Sequence, residues 1–154
     1  MLVTGVGRSP KQLISFEMAL REAGISGYNL VAVSSILPAD AEISTDKSLL
    51  KSIPDGSVVF YVVSRISSDE NNRMLSSAVG VAISPNPEQH GYLSEHHGYG
   101  MTKEDCGIEA EEIAMEMLST IREETGAMVT RHISEQAVVK NGEWTTVVSA
   151  AVLR

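Results

Sequence analysis

The apolar run from Ser57 to Ser67, with Val-Val-Phe-Tyr-Val-Val at its centre, most constrains how this chain can fold. A run so rich in β-branched and aromatic residues predicts a long buried strand, because such side chains pack well on a pleated sheet. Shorter runs of similar character predict further strands at residues 2–6, 29–34, 74–84, 91–97, 128–139 and 144–153. The chain is therefore predicted to be built around paired strands.

Two amphipathic helices are predicted between these strands. The first begins at Ser9, which is followed by proline and, three residues after the cap, by Gln12; it ends at Gly24. Its predicted core face consists of Leu13, Phe16, Leu20 and Ala23. The second helix is capped by Thr102 and is expected to reach about Thr125, before Gly126. Its predicted core positions include Ile113, Met117 and Ile121.

The predicted order of elements is β-α-β-β-β-β-α-β-β. The turn Asn141-Gly142 between the last two strands is typical of a β-hairpin. No linker or repeat divides the 154 residues, and 43% of them are hydrophobic, which is enough for one sizeable core. We predict a single α+β domain over residues 1–154, with strands enough for two sheets and helices packed outside them.

Charge and composition exclude several classes of function. A net charge of −8 disfavours nucleic acids and anionic membranes as partners, since both attract basic surfaces. The chain lacks an apolar run of about 18 residues, so no membrane-spanning helix is expected. The single cysteine, Cys106, and an N-terminus without a basic segment and apolar core predict a cytoplasmic protein without disulfides.

Four features suggest chemistry that the sequence does not support. Gly5-Val-Gly7 lacks the third glycine of a dinucleotide fingerprint, so we interpret it as loop glycines at a tight turn. Glu95 and His97 would share one strand face while His96 points away, which leaves too few ligands for a catalytic zinc. No metal is therefore predicted, Cys106 is interpreted as a packing residue, and the carboxylates of the second helix as a solvated face. Glu95 remains a candidate acid, because a partly buried carboxyl can keep its proton near neutral pH.

The run from Asn29 to Pro38 carries the most chemical information. It places Ser34 and Ser35 at the end of a strand, with Asn29 six residues before Ser35. A serine hydroxyl held against the preceding carbonyl can attack it and rearrange the peptide bond. Adjacent serines after a strand are common, so the motif alone does not establish this reaction.

Several segments together resemble the pyruvoyl-dependent arginine decarboxylases. These are Ser15-Phe-Glu17, Ala23-Gly-Ile25, Asn29-Leu30, Val33-Ser-Ser-Ile-Leu-Pro38, Ser76-Ser-Ala-Val-Gly-Val-Ala-Ile83 and Gly91-Tyr-Leu-Ser-Glu95. Their order and spacing match over most of the chain, and the stretch from Phe16 to Pro38 is the most specific part. The resemblance implies a four-layer αββα sandwich that assembles as trimers, or as dimers of trimers, with active sites between neighbouring subunits.

The resemblance also implies that the chain is a proenzyme. The Ser35 hydroxyl attacks the Ser34 carbonyl, and elimination then leaves a β chain of residues 1–34 and an α chain of residues 35–154. The α chain begins with a covalent pyruvoyl group derived from Ser35, which is the cofactor. Asn29 corresponds to the residue expected to hold the strained peptide or its oxyanion.

In such an enzyme the pyruvoyl group forms a Schiff base with L-arginine, which loses CO2 to give agmatine for polyamine biosynthesis. Glu95 corresponds to the acid that protonates the product, and Glu17 to a carboxylate near the substrate guanidinium. Two alternatives stay open. One is the same chemistry on histidine or lysine, and the other is an unprocessed, non-catalytic oligomer that binds a small metabolite.

Overall fold

The computed structural model describes residues 1–121 and 128–153. Over these residues the elements are β1 (Leu2–Ser9), α1 (Gln12–Ala23), β2 (Asn29–Ala32), β3 (Ile36–Leu37), β4 (Val58–Ser68), β5 (Met74–Ile83), β6 (Gly91–Tyr99), α2 (Lys103–Ser119), β7 (Val129–Val138) and β8 (Trp144–Leu153). A 3-10 helix at Lys47–Ser52 lies in the long connection between β3 and β4. All the predicted strands and helices are present, and the very short β3 is the one strand of the described chain that was not predicted.

The strands form two four-stranded sheets that stack face to face. The first sheet has the order β1-β8-β4-β2 and the second the order β3-β6-β5-β7. Helix α1 packs on β1 and β8 of the first sheet, and α2 packs on β5, β6 and β7 of the second. The predicted α+β class and its four-layer αββα arrangement are confirmed.

One buried core lies between the two sheets, and a larger one lies between α1 and the first sheet. The core between the sheets is formed by a cluster of buried apolar residues from both of them: Leu2, Leu37, Val62, Val79, Val81, Leu93 and Ala151. The hydroxyl of Ser77 also donates a hydrogen bond across the sheets to the Ser149 hydroxyl, at 2.9 Å. This contact satisfies two buried polar groups and fixes how the sheets are aligned.

The predicted terminal β-hairpin is wrong, although its turn and both strands are present. Asn141 and Gly142 adopt positive φ angles of 57° and 64°. The flanking strands nevertheless enter different sheets, since β7 pairs with β5 while β8 pairs with β1 and β4. The turn reverses the chain from one layer to the other instead of forming a two-stranded ladder.

Helix α1 lies against β1 at unusually close range. A Cβ added at Gly5 or Gly7 would collide with the backbone of Ala19 or Ser15 on the helix. Gly5 and Gly7 are therefore strand residues that admit the helix, not loop glycines. The close approach turns small residues inward, so the predicted core face is wrong at Leu13, which is 75% exposed.

The start of α1 also differs from the prediction. Ser9 ends β1 instead of capping the helix, and Lys11 occupies the N-cap position without a side-chain hydrogen bond. The Ser9 hydroxyl instead accepts a hydrogen bond from the Lys11 N–H at 3.3 Å. The helix ends, as predicted, at Gly24, whose φ is 81°.

Helix α2 begins as predicted, with the Thr102 hydroxyl accepting a hydrogen bond from the Asp105 N–H at 3.1 Å. Its buried face is Cys106, Gly107, Ala110, Ala114 and Leu118. The predicted core positions are therefore wrong in detail, and Ile121 is 54% exposed. The helix ends at Ser119, and the predicted stop at Gly126 lies outside the described residues.

Candidate active site

The chain crosses from the first sheet to the second at the paired serines. Strand β2 runs parallel to β4, and the Val33 N–H extends this pairing with a hydrogen bond of 3.0 Å to the Tyr61 carbonyl. Strand β3 then begins at Ile36 in the second sheet, where it pairs with β6. The Ser34–Ser35 peptide bond therefore spans the step between the sheets.

Both carbonyl groups that flank the Ser35 α-carbon are held by backbone donors. The Ile36 N–H donates to the Ser34 oxygen at 3.0 Å, and the Leu93 N–H donates to the Ser35 oxygen at 2.7 Å. Ser34 is exposed and Ser35 is half-buried. The peptide bond predicted to break is thus fixed in position and still open to water.

Glu95 lies two residues beyond Leu93 on β6. Two residues of strand span roughly 7 Å, so Glu95 is close along the strand to the residue that binds Ser35. Side chains of alternate residues share a face, so Glu95 and the core residue Leu93 point towards the first sheet, whereas Ser94 contacts α2. Although Glu95 as a whole is exposed in the single chain, partial desolvation raises the pKa of its carboxyl above the ordinary value.

Asn29 does not reach the serine pair of its own chain. It begins β2, and its side-chain amide donates to the Gly56 carbonyl at 2.7 Å. Asn29 lies four residue steps before Val33, which corresponds to roughly 13 Å of extended chain. Asn29 instead belongs to an uncovered apolar face at the edge of the sandwich.

This apolar edge consists of Val31 on β2 and of Val58 and Phe60 on β4. All three are exposed hydrophobic residues, and the pairing of Asn29 with Val58 and of Val31 with Phe60 places them on one face of the sheet with Asn29. Val58 is 63% exposed and Phe60 is 50% exposed. Because β3 is only two residues long, the second sheet ends before it can cover this part of β2 and β4.

Glu17 is also distant from Ser35 within one chain. It lies on α1, outside the first sheet, and its carboxylate pairs with the Arg21 guanidinium at 2.9 Å. Beside it, the Arg65 guanidinium stacks over the Phe16 ring at 4.5 Å. The carboxylate is thus already bound to a guanidinium, the same group that arginine carries.

A cleft of about 350 Å³ opens between the sheets beside β3. Leu37 and Leu93 contribute to its apolar walls, and Asp40 and Glu42 add carboxylates from the segment after Pro38. Neither Ser34 nor Ser35 lines it. The cleft is therefore next to the serine pair but separate from it.

The other polar candidates have local structural roles. Within residues 1–121 and 128–153, no group of three or more His, Cys, Asp or Glu side chains is placed to hold a metal ion. Cys106 is fully buried against the second sheet, and burial raises the pKa of its thiol. Glu111 is not a solvated residue as expected, because it binds His132 at 2.5 Å and Thr130 at 2.6 Å and so ties α2 to β7.

The backbone donors of the site were not found from the sequence. The N–H groups of Ile36 and Leu93 carry no side-chain signature, and a two-residue strand is too short to show a period. The Ile36 N–H reaches the Ser34 oxygen through a local turn, and only the sheet topology brings the Leu93 N–H to Ser35.

In the described part of the chain, neither helix is long and apolar enough to cross a membrane.

The fold and site define an α+β sandwich whose candidate reactive group is a serine–serine peptide bond at the sheet crossing. The model of the family described as pyruvoyl-dependent arginine decarboxylase matches residues 1–154. The chain belongs to the pyruvoyl-dependent arginine decarboxylase family, whose enzymes depend on a pyruvoyl cofactor. Ser35, the predicted source of that group, occupies the anchored position at the crossing, so the residues present fit the cofactor.

Individual relatives agree with this family. A pyruvoyl-dependent arginine decarboxylase of Methanocella arvoryzae is 50% identical over 97% of this chain and 90% of its own length. A pyruvoyl-dependent arginine decarboxylase of Thermoplasma volcanium is 43% identical over 97% of this chain and 91% of its own length. Pyruvoyl-dependent arginine decarboxylase 1 of Methanosarcina acetivorans is 44% identical over 97% and 90%, respectively.

Proposed function

We propose that this protein is a self-processing enzyme that decarboxylates L-arginine to agmatine and CO2, as a step in polyamine biosynthesis. The observation that carries the proposal is the Ser34–Ser35 bond, which spans the two sheets with both flanking carbonyls held by N–H groups. Family membership supplies the class of reaction and the cofactor. The buried free thiol of Cys106 is compatible with a reducing cytoplasm.

Self-processing starts with an acyl shift at the sheet crossing. The Ser35 hydroxyl attacks the Ser34 carbonyl carbon, the C–N bond breaks, and an ester replaces the amide. The Ile36 N–H, 3.0 Å from the Ser34 oxygen, is placed to stabilise the negative charge that develops there. Elimination of the ester then separates a chain of residues 1–34 from a chain of residues 35–154.

A homo-oligomer would complete the site. The exposed apolar edge formed by Val31, Val58 and Phe60 lies on β2 and β4, shortly before the serine pair, and is suited to burial against another copy. Asn29 lies on that edge, too far from its own Ser34 to bind it. We place Asn29 at the serine pair of a neighbouring subunit, in a trimer or a dimer of trimers.

The pyruvoyl group supplies, when formed, the carbonyl that binds the substrate amine and withdraws electrons from the bond to the departing carboxylate. The chain's own contribution to that step is a proton. Glu95 is the proposed donor to the substrate α-carbon, because its raised pKa keeps the carboxyl protonated to higher pH than an ordinary glutamate.

Selectivity for arginine rests on Glu17 in this proposal. A carboxylate binds a guanidinium through two parallel hydrogen bonds, which adds both energy and geometry. In the single chain, Glu17 Oε1 accepts one hydrogen bond of 2.9 Å from Arg21 Nε, so its carboxylate already binds a guanidinium group on the helix surface. Since Glu17 is remote from Ser35 in one chain, it would serve the site of another subunit.

Release of labelled CO2 tests the proposed function directly. Carboxyl-labelled arginine, lysine and histidine are each incubated with the purified protein, and we expect release from arginine to be by far the fastest. A chain with Ser35→Ala is the matched control and should release none. Equal release from all three amino acids would overturn the arginine assignment, and no release from any would favour the non-catalytic alternative.

A further inference from the structure

The backbone N–H of Leu93 occupies a chemically specific place in the site. It lies 2.7 Å from the Ser35 carbonyl oxygen, and Leu93 itself is only 1% exposed. This carbonyl is not the one that Ser35 attacks. It is the carbonyl attached to the Ser35 α-carbon, whose proton must leave in the second step of processing.

We propose that the Leu93 N–H is the catalytic donor for the elimination step of self-processing. This inference rests on the proposed self-cleavage between Ser34 and Ser35. In that step water removes the Ser35 α-proton, and the electrons of the C–H bond form a double bond between the α- and β-carbons. The bond between the β-carbon and the ester oxygen breaks, and Ser34 leaves as a carboxylate.

Negative charge develops on the Ser35 carbonyl oxygen as the α-proton departs, because that carbonyl is conjugated to the α-carbon. A donor already 2.7 Å from this oxygen stabilises the charge without reorganisation. The Ile36 N–H acts on the other carbonyl, that of Ser34, so the two steps use different donors. The dehydroalanine left by elimination then takes up water and loses ammonia to give the pyruvoyl group.

The position of Leu93 makes its N–H a rigid donor. The residue is the third of β6, where it pairs with Val81 of β5 on one side and directly follows the residues that pair with β3 on the other. Its side chain is fixed in the core between the sheets. The same carbonyl persists in the processed chain beside the keto group of the cofactor, so the Leu93 N–H also faces the mature cofactor's amide oxygen.

The test removes this N–H while keeping the side chain. Leu93 is replaced by its α-hydroxy acid, which turns the preceding peptide bond into an ester. The loss of one neutral hydrogen bond costs about 1 kcal/mol, which is small against the 5–15 kcal/mol, approximately, that stabilises a typical domain, so the protein is expected to fold. The same replacement at Leu75, a buried leucine on β5, is the matched control.

The readout is the chemical state of the bond after Ser34, measured by mass after denaturation with and without hydroxylamine. The Leu93 variant should accumulate a full-length chain that hydroxylamine cuts after Ser34, with elimination slowed about 100-fold. Hydroxylamine can also cut the engineered ester after Tyr92. That cut gives fragments of different mass, so it can be told apart from the cut after Ser34. The Leu75 variant should be processed like the unmodified chain.

Two results would overturn the inference. One is processing of the Leu93 variant at the rate of the Leu75 variant. The other is slow processing without any hydroxylamine-sensitive bond after Ser34, which would place Leu93 in the first step or in folding alone. If the unmodified chain is itself never cut after Ser34, the proposed function fails, and this inference fails with it.

Discussion

The carbonyl oxygen of Ser35 accepts a hydrogen bond of 2.7 Å from the backbone N–H of Leu93, at the point where the chain changes sheets. This one contact joins the end of the first 35 residues to the first part of β6, the strand that also carries Glu95. Under the proposed cut after Ser34, this contact would keep the new N-terminus in place. Ser35, the proposed source of the cofactor, is bound to the second sheet in the uncut chain.

Glu95→Gln should separate processing from decarboxylation. The proposed acyl shift assigns no role to Glu95, so the variant should still be cut after Ser34. Decarboxylation should slow by about 10²- to 10⁴-fold, the usual contribution of a positioned acid. Labelled CO2 release and intact mass on the same sample check both expectations, and normal turnover would exclude Glu95 as the proton donor.

The pH dependence of the unmodified enzyme follows from the same group. The protonated carboxyl is the active form of a proton donor, and desolvation raises its pKa. The rate should therefore fall as pH rises through that raised pKa, at a higher pH than an ordinary glutamate would give. The residual decarboxylation rate of Glu95→Gln should not show this decrease with rising pH. If the variant shows the same decrease, the titrating group is not Glu95.

Glu17→Gln should weaken arginine binding without affecting self-cleavage. Losing a charged hydrogen-bonded pair costs about 1.5–3 kcal/mol, so KM for arginine should rise at least about tenfold while the chain is still cut after Ser34. The matched control is Arg21→Gln, which frees Glu17 from its partner. An exposed pair of this kind is worth about 0.3–0.5 kcal/mol, so KM in the control should fall no more than about twofold. Unchanged KM in Glu17→Gln would remove it from the substrate site.

Gly7→Ala should destabilise the fold through the contact between β1 and α1. The added methyl would collide with the Ser15 backbone, and overpacking of this kind costs about 1–3 kcal/mol in the free energy of unfolding. Gly27→Ala is the control, because its methyl meets only the Asp55 side chain, which can move away. Urea unfolding of both variants measures the difference. Equal stability would show that the helix is not held at the distance described.

Local signals in the sequence predicted the elements of this fold well. Thr102 caps α2 and Gly24 ends α1, because caps and helix ends depend on a few neighbouring residues. The faces of the helices were harder to predict. Glycines on the strands, Gly7 under α1 and Gly80 under α2, bring the helix backbones so close that small residues face inward. That effect couples distant segments and is invisible in the period of either helix.

The pairing of strands that are distant in the sequence was also not predicted. Asn141 and Gly142 adopt the turn conformation that the sequence predicted, but the turn does not determine which sheet each strand joins. Strands β5 and β8 are buried along nearly their whole length, so neither shows the alternation that would indicate its neighbours.

The candidate site was only partly accessible from sequence. Ser34, Ser35 and Glu95 are brought to one region of the fold by the β3–β6 pairing. Asn29 and Glu17 lie elsewhere on the single chain, so their proposed roles depend on a neighbouring subunit. The N–H groups of Ile36 and Leu93 are common to every residue type and become recognisable only in three dimensions.

Intact mass under denaturing conditions tests the central claim most directly. The unmodified protein should give two polypeptides, residues 1–34 and residues 35–154, the larger with a blocked N-terminus and without the Ser35 nitrogen. Ser35→Ala should remain a single uncut chain, whereas Ser34→Ala, which keeps the attacked carbonyl, should still be cut. A single full-length chain from the correctly folded, unmodified protein would contradict the account.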